Sequence, residues 1–129
     1  RRTLHLSTSV ISRMTNDELK QLVIKTLEDM KAVKIVEMDV SELTDMAEVI
    51  IVASGTSSRH VRSLAYSVSS NVKEQGIQPL GVEGEASGDW VLVDLSSIVV
   101  HVMLPEAREF YNLEKLWADT AARRDAANQ

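Results

Sequence analysis

The sequence predicts an α/β domain, and three patterns carry that prediction. Apolar residues recur at helical spacing in two stretches, the β-branched run Val49-Ile50-Ile51-Val52 marks a strand covered on both sides, and residues 89–104 alternate around a pair of serines. The chain has 129 residues, enough to bury one core without staples. It contains no cysteine, so it has neither disulfides nor thiolate chemistry, and a reducing, cytoplasmic setting is expected.

The first helix opens at Thr15-Asn16-Asp17-Glu18, which has the S/T-x-x-E form of a capping box. Its apolar stripe is Leu19, Leu22, Val23, Leu27 and Met30. Residues 35–40 then alternate, with Val36, Met38 and Val40 on one side and Ile35, Glu37 and Asp39 on the other, as a half-exposed strand does. Residues 48–53 form a buried strand expected at the centre of the sheet. Ser54-Gly55-Thr56-Ser57-Ser58 breaks that strand and supplies cap hydroxyls to a second helix, whose stripe is Val61, Leu64, Ala65, Val68 and Val72. Gly76 ends this helix. Residues 78–84 read as a weaker strand, and Pro79 argues for an edge position.

Pro105 begins a final helical segment carrying Phe110, Leu113, Leu116 and Trp117, and the spacing assigns Phe110 and Trp117 to the core. Residues 120–129 lack any large apolar side chain and are expected to form a loose tail. The domain is therefore drawn at residues 14–119. Residues 1–13 hold no acidic residue and are rich in Ser, Thr and Arg, a composition shared with organelle transit peptides. Met14 directly precedes the capping box, so a native start there is the simpler reading. Residues 1–13 are taken as a disordered N-terminal extension, and a bacterial cytoplasm is preferred to an organelle. No apolar stretch approaches the run of about 20 residues needed to cross a bilayer, and no membrane partner is expected.

The net charge is −5, yet Arg1, Arg2 and Arg13 all lie in the first thirteen residues; without them 11 basic residues face 19 acidic ones, a balance of −8. Such a surface repels a phosphate backbone, which disfavours direct, non-specific binding to DNA and suits a basic protein partner. Acidity for solubility alone is the default explanation.

The hairpin is the most informative feature. With Ser96-Ser97 as a two-residue turn, Leu95 faces Ile98, Asp94 faces Val99, Val93 faces Val100 and Leu92 faces His101. Val91 and Trp90 then oppose Val102 and Met103. One face carries Val91, Val93, Leu95, Ile98, Val100 and Val102 and must be core. The other carries Trp90, Leu92, Asp94, Val99, His101 and Met103, and spacing alone leaves two readings open. It is a contact surface, or it packs under the C-terminal helix with Asp94 or His101 satisfied by hydrogen bonds and Trp90 filling space.

Catalytic chemistry finds little support. No G-x-S-x-G elbow accompanies the abundant serines, His60, His101 and Asp94, and His5, His60 and His101 lie outside any H-x-x-x-H or H-E-x-x-H arrangement. The Gly55-Thr56-Ser57 turn before a helix resembles a phosphate cradle, but it lacks G-x-x-x-x-G-K-[S/T], and residues 58–73 contain no carboxylate to hold Mg²⁺. A helix cap is the simpler reading. The alternative function is a nucleotidyltransferase-like, nucleotide-binding enzyme using this turn.

In this order, residues 47–62 (AEVIIVASGTSSRHVR), 82–94 (VEGEASGDWVLVD), 99–104 (VVHVML) and 108–117 (REFYNLEKLW) resemble the Iojap-like family of ribosomal silencing factors. The likeness spans roughly residues 19–117. Family members often carry Gly and Asp where this chain turns on Ser96-Ser97, and residues 1–13 have no counterpart in the motif set. The resemblance implies a mixed β-sheet flanked by helices, similar to nucleotidyltransferase folds but without their metal-binding acids and non-catalytic. It further implies no cofactor, a homodimer in isolation, and binding to the large ribosomal subunit through ribosomal protein uL14. That contact would block small-subunit joining and lower translation during starvation. An acidic domain with an aromatic anchor suits a basic ribosomal protein, and the candidate contacts are Glu83, Glu85, Trp90, Asp94, His101, Met103, Arg108 and Tyr111. For Glu83 and Glu85 a solvated loop is the competing reading.

Overall fold

The computed structural model describes residues 14–128. The extension expected at residues 1–13 lies outside the described residues. In chain order the elements are α1 (Asn16–Asp29), β1 (Val33–Asp39), β2 (Val49–Ser54), α2 (Ser58–Glu74), β3 (Gly81–Glu83), β4 (Trp90–Asp94), β5 (Ile98–Met103), α3 (Pro105–Tyr111) and α4 (Leu113–Ala127).

Among the described residues the strands form one sheet in the order β1-β2-β5-β4-β3. Pairing is antiparallel except between β2 and β5, which run parallel because α2, β3 and β4 intervene between them in the chain. The sheet is mixed, as the resemblance implies. β2 is an interior strand, but the middle position belongs to β5. The hairpin register is the deduced one: Trp90 opposes Met103, Val91 opposes Val102, Leu92 opposes His101, Val93 opposes Val100 and Asp94 opposes Val99.

The turn stores strain. Leu95 N–H donates to the Ile98 carbonyl at 2.9 Å and Ser97 N–H donates to the Leu95 carbonyl at 3.1 Å. The second bond makes Ser96 the centre of a γ-turn with φ 76°, a left-handed conformation that costs a residue with a Cβ. Asp94 supports it, its Oδ1 accepting from Ser96 N–H at 2.8 Å.

α1 begins as its sequence dictates: Glu18 N–H donates to Thr15 Oγ1 at 3.0 Å, and Thr15 N–H donates to Glu18 Oε1 at 2.9 Å. Leu19, Val23 and Leu27 are buried. Met30, expected on the same stripe, is exposed because the helix ends at Asp29 and its period ends with it. In α2 the whole predicted stripe is buried. β3 is a short edge strand, and β1 starts at Val33 with a register break between Val33 and Val36, where Lys34 takes φ 52°.

The two sheet faces are unequal. On the first, α1 and α2 pack Leu19, Val23, Leu27, Val61, Leu64 and Val68 onto the aliphatic hairpin face. Each fully buried Val, Leu or Ile contributes on the order of 1.5–3 kcal/mol, so this face carries most of the hydrophobic stabilisation. On the second, Val40, Ile50, Val52 and Met103 lie under Ala107, Leu113 and Trp117 of α3 and α4.

Here the sequence expectations need correction. The final helical segment is two helices, broken at Asn112, which adopts the left-handed region with φ 45° and ψ 59°. Trp117 packs on the second cluster, but Phe110 is 81% exposed and is not core. Helix α4 runs on to Ala127, so residues 120–127 do not form a loose tail. Ala121, Ala122, Ala126 and Ala127 favour the helix intrinsically, and Arg124 ties it to Glu42 at 3.4 Å. The absence of large apolar residues there shows instead as a helix that buries no side chain completely.

Candidate functional site

The mixed hairpin face and the end of α3 meet in a row of rings. Trp90 leads β4 on the same side as His101, diagonally across the pair, and its Nε1–H donates to His101 Nδ1 at 2.9 Å. The two rings lie 5.8 Å apart. Tyr111, the last residue of α3, packs on Trp90 with centroids 4.7 Å apart at 46°. Phe110 completes the row, meeting Tyr111 edge-on at 5.0 Å and 88°. Exposure rises along the row, from buried His101 through half-buried Trp90 to Tyr111 at 53% and Phe110 at 81%. Monomers rarely leave such rings in water without a use for them.

Two features hold α3 in place to present these rings. Asn112 ends it in the left-handed conformation, and its Oδ1 accepts from Lys115 N–H at 3.3 Å to start α4. Arg108 then fastens the corner. Its Nε donates to Glu114 Oε1 at 2.9 Å, Nη2 donates to Oε2 at 3.3 Å, and Nη1 donates to Ser54 Oγ at 3.0 Å.

The predicted contacts therefore separate into groups. Trp90 and Tyr111 share the ledge. Glu83 pairs with Leu92 on β3, which puts its side chain on the same side as Leu92, and it is exposed. Glu85 follows in an exposed loop. Gly84 between them presses on Trp90: a Cβ there would lie 2.0 Å from the Trp90 carbonyl oxygen, and its φ is 92°. Glycine is needed at that position, and both carboxylates stand beside the start of β4 as a result. His101 is buried under Trp90, and Met103 has no exposed surface, so neither offers a surface contact. β5 lies in the middle of the sheet and is covered on both sides. The Arg108 side chain is only 10% exposed and is engaged inside the fold, where it positions α3. Asp94 is at the far end of β4, about 13 Å from Trp90 at 3.3 Å per residue, and serves the turn.

Phe110 was missed as a surface residue. The signal for it was Asn112, a residue that readily turns left-handed and so separates Phe110 from the Leu113 and Trp117 stripe.

Burial pushes His101 down to about 4, because a charged imidazole would lose its hydration there. Trp90 can only donate, so Nδ1 accepts and the neutral ring carries its proton on Nε2. The other histidine of interest acts as a brace. Thr56 N–H donates to His60 Nδ1 at 2.9 Å, leaving Nε2–H to donate to the Met30 carbonyl at 2.8 Å. His60 N–H donates to Ser57 Oγ at 3.1 Å and Val61 N–H to the Ser57 carbonyl at 2.9 Å. Ser57 thus caps α2, as the simpler reading expected, and in the turn before it the Gly55 amide donates to the Met103 carbonyl at 3.1 Å and the Thr56 amide to His60. Among the described residues no group of three or more His, Asp or Glu side chains gathers as a metal site, and no helix is long and apolar enough to cross a membrane.

Fold and site together define a mixed-sheet α+β protein that presents an aromatic ledge edged by carboxylates. Residues 13–129 match the family model described as ribosomal silencing factor during starvation. A ribosomal silencing factor of Chromobacterium violaceum is 48% identical over 104 residues, covering 81% of this chain and 85% of the relative. A crystal structure of a Chromobacterium violaceum protein superimposes with a TM-score of 0.80 at 48% identity, covering 81% of this chain and 88% of that one. A mouse protein named mitochondrial assembly of ribosomal large subunit protein 1 is 40% identical over 70 residues, which span 52% of this chain and 31% of the mouse protein. The chain belongs to the ribosomal silencing factor family, whose description is regulatory.

Proposed function

We propose that this protein represses translation during nutrient limitation by binding the large ribosomal subunit through ribosomal protein uL14 and blocking association with the small subunit. Family membership supports the ribosome as target, and the mouse relative's name supports the large subunit. The observation that carries the contact is the ledge of Trp90, Tyr111 and Phe110 beside Glu83 and Glu85. Aromatic anchors commonly supply about 2 kcal/mol or more each at a protein interface, and carboxylates at the rim steer a basic partner. His101 and Met103 support the ledge from below, Arg108 holds it from behind, and Asp94 shapes the turn at the far end of the hairpin. In the absence of ribosomes the protein is a cytoplasmic homodimer in this reading, with no cofactor.

Sedimentation with purified large subunits is the direct test. Co-migration at low salt, lost on adding excess free uL14, is the expected result; a protein that stays at the top of the gradient rejects the reading. The nucleotidyltransferase-like alternative predicts saturable heat on titration with Mg-ATP. A flat titration is expected, since the Thr56 amide is already bonded to His60.

A further inference from the structure

Helix α2 has an outer face that the ledge does not explain. Its sequence, SRHVRSLAYSVSSNVKE, holds a single carboxylate, and that is its last residue, Glu74. Arg59, Arg62, Tyr66 and Lys73 are all exposed, Tyr66 by 72%. At 100° per residue these four side chains fall within an arc of about 60°, and Ser63 and Ser70 widen the same stripe without adding charge. Arg59 and Lys73 stand about 21 Å apart along the axis, with Tyr66 midway. Among the described residues none of the three cations pairs with a carboxylate; Lys31, Lys34 and Arg123 are likewise unpaired but are not gathered on one helix face, whereas Lys20, Lys25, Arg108, Lys115 and Arg124 are all paired. In a chain of net charge −5 this is a concentrated cationic strip.

The strip lies on a different face from the ledge and meets its neighbourhood at one end, where Arg62 packs against Gly88 of the loop leading into β4: a Cβ there would stand 2.5 Å from Arg62 Nη1. α2 covers the first sheet face, and Trp90, α3 and α4 belong to the second.

We infer that the outer face of α2 binds single-stranded or unstacked RNA, with Arg59, Arg62 and Lys73 on successive phosphates and Tyr66 stacking on a base. Charge complementarity selects a polyanion, and a ring placed between cations is the arrangement that holds single-stranded nucleic acid. The stripe has no aliphatic side chain with which to seat a peptide helix or to enter a lipid surface. The acidic remainder of the molecule repels RNA elsewhere, so binding is confined to this face and weakens steeply with salt. On an RNA-rich particle to which the ledge is already attached, a weak second contact gains from high effective concentration.

Fluorescence anisotropy with a labelled oligouridine of about 16 nucleotides tests this without ribosomes, so its failure is separate from that of the ledge reading. Saturable binding at low salt is expected, with log K falling against log salt by a slope of about −2 for three single-strand phosphate contacts. Arg59→Glu/Arg62→Glu/Lys73→Glu should abolish it, and Tyr66→Ala should weaken it several-fold while Tyr66→Phe does not. The triple alanine variant, which leaves net charge closer to wild type, should lose at least tenfold. Absence of binding by the wild type, equal binding by the triple variants, or stronger binding to poly-glutamate or to anionic vesicles than to RNA overturns the proposal.

Discussion

The Trp90 indole donates its only hydrogen bond to Nδ1 of His101, 2.9 Å away, and so links the exposed ledge to the middle strand of the sheet. Burial holds the ring neutral down to about 4, against an ordinary 6.5. Because the unfolded chain takes up this proton first, the contribution is intact above pH 6.5 and is lost as pH falls toward 4. The loss amounts to roughly 3 kcal/mol from this residue. Urea denaturation at pH 7.5, 6, 5 and 4 should show falling stability, and His101→Gln should flatten that window; an unchanged slope in the variant would remove His101 as the cause.

Phe110 and Trp90 should separate binding from folding. Phe110→Ala deletes an exposed ring, so its unfolding free energy should stay within about 0.5 kcal/mol of wild type while affinity for large subunits drops at least about tenfold. Trp90→Ala also uncovers His101 and should cost roughly 2 kcal/mol of stability in addition. Equal subunit binding by Phe110→Ala and wild type would exclude that ring from the contact.

Arg108 is predicted to act through position. Its guanidinium is engaged with Glu114 and Ser54, and Arg108→Ala leaves both without a partner. Glu114 is 35% exposed and partly recovers water, so the loss should be roughly 2 kcal/mol rather than the larger penalty of a fully buried ion. Arg108→Lys should recover little, because an ammonium cannot make the forked bond. At a temperature where Arg108→Lys is folded, near-normal affinity for large subunits is expected; a tenfold loss there would make Arg108 a direct contact.

Ser96→Gly should raise stability. The left-handed Ser96 costs about 1–2 kcal/mol, while glycine's extra freedom in the unfolded chain returns part of that, leaving a net gain of about 0.5 kcal/mol. Thermal melting measures it, with Ser97→Gly, which lacks a positive φ, expected to lower the melting temperature.

The hairpin register was legible because a period of two and a two-residue turn leave one solution, and the α1 start was legible because both halves of its capping box are local. Strand order was not, since nothing near residues 49–54 announces that they pair in parallel with residues 98–103. The site was half legible for a related reason. Alternation reveals that a strand has two faces but not which neighbours cover them, so Met103 was assigned outward when α3 and α4 bury it. Phe110 was assigned inward because helical spacing was carried across Asn112, where the backbone resets its phase.

The left-handed Lys34 and the register break beside it bear on how this sheet meets other molecules. They kink one border, and at the opposite border β3 offers only Gly81–Glu83. Among the described residues, the bulge at one border and the shortness of the other both disfavour recruiting a partner by prolonging the sheet. Recognition then falls to side chains, and such an interface can be altered one residue at a time without touching the hydrogen-bonded ladder that keeps the protein folded.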